Sequence, residues 1–525
     1  MKTENHSSIC LLIMLLGISL LSCETQQTDT ESKGQLVAEA PNYQQQYRPQ
    51  YHFSPPQQWM NDPNGMVYYE GEYHLFYQHY PDSNVWGPMH WGHVVSPDMV
   101  NWENLPIALY PDDLGMIFSG SAVVDWKNTS GFGTETNPPL VAIFTYHDME
   151  KEKAGVVEHQ TQGIAYSTDK GRSWAKYEGN PVLKNPGIWD FRDPKVRWYE
   201  PQQKWIMTLA VKDHISFYSS PDLKNWTLES DFGNNIGAHG GVWECPDMFP
   251  MVDSEGNEKW VTFLSINPGG PQGGSATQYF VGDFDGKTFT PADTVIRWID
   301  YGADNYAGVT WSDIPEEDGR RLFLGWLSNW QYANIVPTYD WRSAMTIPRT
   351  LNLTVDNYLL QKPVKELGNI MRSAQLIEDF EFAGIDTVDG LELAETAHFF
   401  FNASMGDARR LEMIMGNEKE RFKLIVDLDS QQLITDRSQS GLVDFHPAFA
   451  DIHQLDLKEG FELQNIEVFI DAASVEIFIN DGRYVFTELI FPESPYTQVS
   501  FKADSEVKIN GFSYNEVNSI WEKVE

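Results

Sequence analysis

The sequence predicts an all-β protein, a five-bladed β-propeller followed by a C-terminal β-sandwich, and three observations carry that reading. From residue 59 to about 350 the chain alternates in short segments broken by Gly, Pro, Asn and Asp, without a sustained helical period. Within that stretch a Ser-x-Asp turn followed by an aromatic recurs: Ser96-Pro97-Asp98 before Trp102, Ser167-Thr168-Asp169 before Trp174, Ser220-Pro221-Asp222 before Trp226, and a degenerate Asp283-Phe284-Asp285 before Phe289. The aromatics follow one another at 72, 52 and 63 residues, about one four-stranded blade each. Beyond residue 350 longer strands appear, at 422–428 and 466–470, with a hairpin over 475–483 whose Asn480-Asp481-Gly482 suits a tight turn.

Taken in order, residues 1–22 read as an export signal. The apolar run from Ile9 to Leu21 is shorter than the roughly 20 residues a membrane span needs. Leu20-Leu21-Ser22-Cys23 closes it and resembles the lipobox of bacterial lipoproteins, which implies a lipid on Cys23 and an exported, membrane-anchored chain, periplasmic or at the cell surface. Residues 23–50, rich in Gln, Thr, Glu, Tyr and Pro, lack aliphatic periodicity and read as a tether. The propeller occupies 51–355, a linker with one helical turn 356–370, and the sandwich 371–525. Cys10 and Cys23 belong to the signal region, so Cys245 stands alone in the fold and forms no internal disulfide.

The chain carries 37 basic and 75 acidic residues, a net charge of −38, and no Lys/Arg run, which excludes nucleic acid as a partner. Aromatics make up 13% of the sequence, with 18 Trp. Some belong to the repeat core, and the rest suit stacking on the apolar faces of sugar rings.

If each Ser-x-Asp turn is an outer hairpin, the innermost strands begin near Asp62, Phe118-Ser119-Gly120, Asp193, Glu244 and Asp304-Asn305-Tyr306. A propeller points these starts at one end of its channel, so acids distant in sequence converge. Trp59-Met60-Asn61-Asp62-Pro63-Asn64-Gly65, Arg192-Asp193-Pro194 and Glu244-Cys245-Pro246-Asp247 each place an acid within two positions of Pro. Glycoside hydrolysis needs paired carboxyl groups. Asp62, beside Asn61 and Asn64, is placed to stay ionised; Glu244, beside Trp243, Cys245 and Pro246, is placed to carry a proton; and Arg192 should keep Asp193 ionised. A nucleophilic role for Cys245 lacks a His partner. His90 and His93 fall on opposite strand faces and Asp253-Ser254-Glu255-Gly256-Asn257-Glu258 reads as a polar hairpin turn, so no metal is expected.

These motifs, together with Phe118-Ser119-Gly120-Ser121, Trp330-Gln331-Tyr332-Ala333-Asn334, Trp341 to Arg349 and Ser474 to Gly482, resemble glycoside hydrolase family 32, the invertases, inulinases and levanases, across roughly residues 50 to 520. The resemblance implies Asp62 as nucleophile, Glu244 as acid/base and Asp193 as transition-state stabiliser. It also implies a fructose subsite lined by Asn61, Gln78, Trp86, Phe118, Ser119 and Arg192, no cofactor, and a fructan substrate, levan or inulin and also sucrose, cut with retention and from the chain end. Internal cutting, a fructan-binding lipoprotein that lost the chemistry, and an arabinan or xylan hydrolase on the same fold are the alternatives; the last does not fit the Asn61 to Gly65 segment.

Overall fold

The computed structural model describes residues 43–388 and 390–521. Five antiparallel blades follow one another, with innermost strands Gln58–Tyr69, Met116–Val124, Phe191–Tyr199, Val242–Val252 and Tyr306–Thr310. The ring closes without a covalent link: Trp341–Arg342, supplied after blade 5 has begun, pairs in parallel with Gln58 and Trp59 of blade 1.

The repeat aromatics lie where the blades meet. Trp174 of blade 2 stands edge-on to Phe76 of blade 1, with ring centroids 5.4 Å apart. Each Ser-x-Asp unit is the turn between the third and fourth strands, its Asp collecting backbone amides, as Asp98 does from Val100 and Asn101 at 3.0 and 2.8 Å. Blade 5 holds a fifth version that the Ser-based pattern missed. Thr354 Oγ1 donates to Asp356 at 2.6 Å and accepts from the Tyr358 amide at 2.9 Å.

Two boundaries differ from the sequence reading. Residues 43–50 are not tether: Tyr43 stacks on Trp521 at 3.9 Å, and Arg48, fully buried, donates to Ser54 and the carbonyls of Pro55 and Pro56 while lying 3.9 Å over Trp341. Their aromatic rings and one Arg find partners far along the chain, which a local hydrophobicity pattern cannot register. The linker likewise starts later. Leu359–Pro363 is the outer strand of blade 5, paired with Arg349–Leu353, and the helical turn is the 3-10 segment Lys365–Ile370.

In the C-terminal domain two layers share one long strand, Gln498–Glu516, which pairs first with Arg410–Gly416 and later with Ala397–Ser404. Val499, Phe501, Val507 and Ile509 fill the core between the layers. After Gly511, at φ +61°, the buried positions switch parity to Phe512 and Tyr514.

Buried ion pairs bind this domain to the propeller. Arg349 donates to Asp300 and Glu476 at 3.1 and 2.7 Å, and Arg437 meets Asp304 at 2.6 Å and Glu488 at 3.3 Å. His52 lies between Asp471 and Glu476 at 2.7 and 3.0 Å. Among the described residues no helix is long and apolar enough to cross a membrane. Cys23 and the signal segment lie outside them.

Candidate active site

Every innermost strand carries a β-bulge at the same height. Asn61-Asp62, Phe118-Ser119, Asp193-Pro194, Cys245-Pro246 and Ala307-Gly308 each oppose a single residue of the neighbouring strand, among them Gln78 and Thr145. A bulge re-aims side chains and frees backbone amides from the ladder. It is also where Pro is tolerated inside a sheet, which is the physical content of the acid-near-Pro pattern. Asp193, Cys245 and Ala307 are left-handed there, at φ +63°, +46° and +53°, a cost of roughly 1–2 kcal/mol each. The freed amides find side-chain partners: Cys245 N–H donates to Asp193 Oδ2 at 3.0 Å, and Asp193 N–H to Thr145 Oγ1 at 2.9 Å.

Asp62 is held from three directions. Asn61 Nδ2 donates to Oδ1 at 3.0 Å, Ser119 Oγ to Oδ2 at 2.8 Å, and the Cys245 thiol to Oδ2 at 3.4 Å. Trp59 Nε1 fixes Asn61 in turn, at 2.6 Å. Asn64 donates to the Asp62 backbone carbonyl instead of the carboxylate. Burial, and then the negative charge of Glu244, raise the Asp62 pKa, and the three donors oppose the rise. Burial beside three carboxylates pushes the Cys245 thiol well up, so it serves as a neutral donor and not as a nucleophile.

The other two acids differ from the sequence expectation in their surroundings. Arg192 commits its guanidinium to Asp190 at 2.6 Å and to Glu244 Oε1 at 3.3 and 3.0 Å, and reaches Asp193 only at 3.9 Å. Burial therefore prevails at Asp193 over the Arg192 charge, with Glu244 and Asp62 adding repulsion, and its pKa is pushed up to about 7. Glu244 is not in apolar surroundings. Strand alternation turns Trp243 into the core between blades 3 and 4, while Arg192 and the Tyr306 hydroxyl donate to the two carboxyl oxygens.

A pocket of about 280 Å³ collects these groups. Asn61, Asp62, Trp86, Phe118, Ser119, Arg192, Asp193 and Glu244 line it, as the sequence placed them. Gln78 does not reach the lining. It is buried behind the Asn61-Asp62 bulge, and its Nε2 has no hydrogen-bond partner among the described residues. Sequence reasoning missed Asp190, His147, Glu152, Gln160, Asn267 and Trp330 as lining residues and Tyr306 as the partner of Glu244. Tyr306 had a signal, since it opens the fifth innermost strand. His147, stacked on Phe118 at 4.2 Å, had none. His93 faces inward, 3.0 Å from His74, and His90 faces out towards the Pro88 carbonyl; Asp253 forms a turn with Glu255 and Asn257. No group of three His, Cys, Asp or Glu side chains disposed to hold a metal occurs among the described residues.

Comparison with known proteins bears on this arrangement. Residues 52–363 match the glycosyl hydrolases family 32 N-terminal domain, and residues 366–517 the family 32 C-terminal domain. The chain is 48% identical over 499 residues to a levanase of Bacillus subtilis (strain 168), covering 92% of this chain and 72% of that one. It is 39% identical over 491 residues to an extracellular exo-inulinase of Aspergillus awamori, covering 86% of this chain and 91% of the relative. A crystal structure of exo-inulinase from the same fungus superposes with a TM-score of 0.82 at 35% identity, over 91% of this chain and all of that one. A β-fructofuranosidase from Schwanniomyces occidentalis, complexed with fructosyl-erythritol, gives 0.79 at 31% identity, over 91% and 99%. Both domains match in order and nearly end to end, and the chain belongs to glycosyl hydrolase family 32.

Proposed function

We propose that the protein hydrolyses β-fructofuranosidic bonds of fructans, levan or inulin, and of sucrose, releasing fructose from the chain end with retention of configuration. The observation that supports this most directly is the convergence of Asp62, Asp193 and Glu244 in one pocket, in a chain similar to proteins named levanase, exo-inulinase and β-fructofuranosidase. A pocket of about 280 Å³, at the small end of ligand sites, suits one sugar unit better than a through-running polymer.

In the first step the Asp62 carboxylate attacks the anomeric carbon of the terminal fructosyl unit as Glu244 protonates the departing glycosidic oxygen. In the second, Glu244 takes a proton from water, which displaces Asp62 and releases fructose. The donors on both Asp62 oxygens hold the nucleophile in one orientation, and Asn61 and Ser119 stay bonded to it while charge leaves. Asp193, anchored by the Cys245 amide, lines the pocket and in its ionised form offsets the positive charge of the oxocarbenium-like transition state.

Chromatography of early products from levan and inulin tests the reading. Fructose alone is expected; a ladder of oligosaccharides would point to internal cutting, and no release from any fructan or from sucrose would reduce the protein to a binder. We also propose export and anchoring through a lipid on Cys23. The support is the Leu20-Leu21-Ser22-Cys23 sequence and, for export, the extracellular relative. Cys23→Ala should move the activity from the membrane fraction to the soluble one.

A further inference from the structure

A larger cavity, of about 420 Å³, lies further along the innermost strands of blades 2 to 5 than the catalytic carboxylates. On the innermost strand of blade 3, Asp193 faces the active-site pocket and Arg197 lines this cavity, four residues or roughly 13 Å further along. Arg321, which begins the second strand of blade 5, lines it too.

The cavity is lined by more cationic groups than anionic ones, in a chain whose net charge is −38. Most of its charged groups are matched within the protein. Lys195 Nζ donates to the Thr310 carbonyl at 2.5 Å and lies 3.4 Å from Asp247; Lys127 pairs with Glu200 at 3.1 Å; Arg320 is held by Asp318 and Glu366. Asp313 accepts from the Val124 amide and from Trp126 Nε1, each at 2.9 Å.

Two guanidinium groups remain. Arg197 lies 5.1 Å over the Trp260 ring and spends one N–H on the Met248 carbonyl at 3.1 Å, and among the described residues its buried Nε has no hydrogen-bond partner. The Arg321 side chain makes no hydrogen bond or ion pair among the described residues; its guanidinium lies 4.8 Å over the Phe249 ring, and its Nε is buried and unpartnered. Burial, and then repulsion from Arg321, push Arg197 down to about 9, against the opposing charges of Asp247 and Asp313. Both arginines are half-buried, with their Nε atoms shut off from solvent, and a guanidinium offers a planar fork that matches an oxyanion.

We propose that this cavity is a second ligand site, for a small oxyanion of the phosphate or sulfate class, held between the Arg197 and Arg321 guanidinium groups. Asp247 and Asp313 limit the site to anions that keep clear of them, so the forks and not the carboxylate side of the cavity receive the ligand. A halide would leave most of about 420 Å³ unused and would meet only one N–H of each fork.

Titration calorimetry of the full-length protein with inorganic phosphate, at fixed ionic strength, tests the proposal. Expected is a one-site isotherm with a Kd on the order of 1 mM, displaced by sulfate and unchanged by saturating fructose. Arg321→Gln should weaken it about tenfold or more while retaining turnover on sucrose, which reports an intact fold; Arg197→Gln should weaken it similarly and serves if the first variant does not fold. Absence of saturable heat with wild-type protein up to about 50 mM phosphate, displacement by fructose, or wild-type affinity in both variants would each overturn it.

Discussion

Arg192 donates through both Nε and Nη2 to one oxygen of Glu244, at 3.3 and 3.0 Å, although its neighbour in the chain is Asp193, 3.9 Å away. The same guanidinium holds Asp190 through Nη1. A lysine ammonium cannot span both carboxylates. Arg192→Lys should therefore lower kcat/KM on sucrose by about 10²-fold without unfolding the protein. Steady-state kinetics with a circular dichroism control decide it, and an unchanged kcat/KM would remove Arg192 from the site.

Asp62→Asn should lower kcat by about 10⁴-fold or more, since the covalent step has no other nucleophile. Glu244→Gln should lose about 10² to 10⁴-fold on sucrose, with most of the loss recovered on an aryl fructoside whose leaving group needs no proton. Equal losses on both substrates would assign Glu244 another role.

At Asp193 the folded-state pKa, about 7, exceeds the ordinary value of 3.8. Between those values the native state binds the extra proton, so this residue's contribution to stability falls as pH rises from about 4 to 7. Asp193→Asn should thus be more stable than wild type at pH 8, by roughly 1–3 kcal/mol, and equal to it near pH 4. Denaturant melts at the two pH values provide the comparison; a variant less stable at pH 8 would contradict the burial argument. Activity should be lost in the same variant, a case of stability given up for function.

His52 gives the opposite sign. Burial disfavours its charged ring, but hydrogen bonds to Asp471 and Glu476 outweigh burial and hold the pKa up at about 9. The stabilisation is complete below about 6.5 and is lost as pH rises through 9, on the order of 2–3 kcal/mol in all. His52→Gln should be destabilised at pH 6.5 and lose this slope, read from melting curves between pH 6.5 and 9.5. A wild-type slope preserved in the variant would exclude His52 as its source.

Residues 43–50 should behave as part of the fold. A chain beginning at Tyr43 is expected to match the longer protein in stability, whereas Arg48→Ala should cost roughly 3–5 kcal/mol by leaving buried acceptors at Ser54, Pro55 and Pro56 unmet. Midpoints of urea unfolding distinguish the two, and an Arg48→Ala midpoint equal to wild type would restore the tether boundary at residue 50.

The sequence by itself determined the blade count, the order of the domains and which acids meet, because alternation, the Ser-x-Asp turns and the position of each acid at a strand start are local properties repeated along the chain. It also carried the signal of the bulges in Pro63, Pro194 and Pro246, without saying that two residues there oppose one. Only the tertiary structure decided what depends on register and on contacts between blades. That Arg192 serves Glu244 and not Asp193, and that Tyr306 completes Glu244 from blade 5, follows from how the bulged strand ends converge. The docking of Tyr43 and Arg48 and the pairs Arg349–Glu476 and Arg437–Asp304 join residues 127 to 478 positions apart, and the energy of a buried charge is fixed by the partner that tertiary packing delivers, not by its neighbours in the chain.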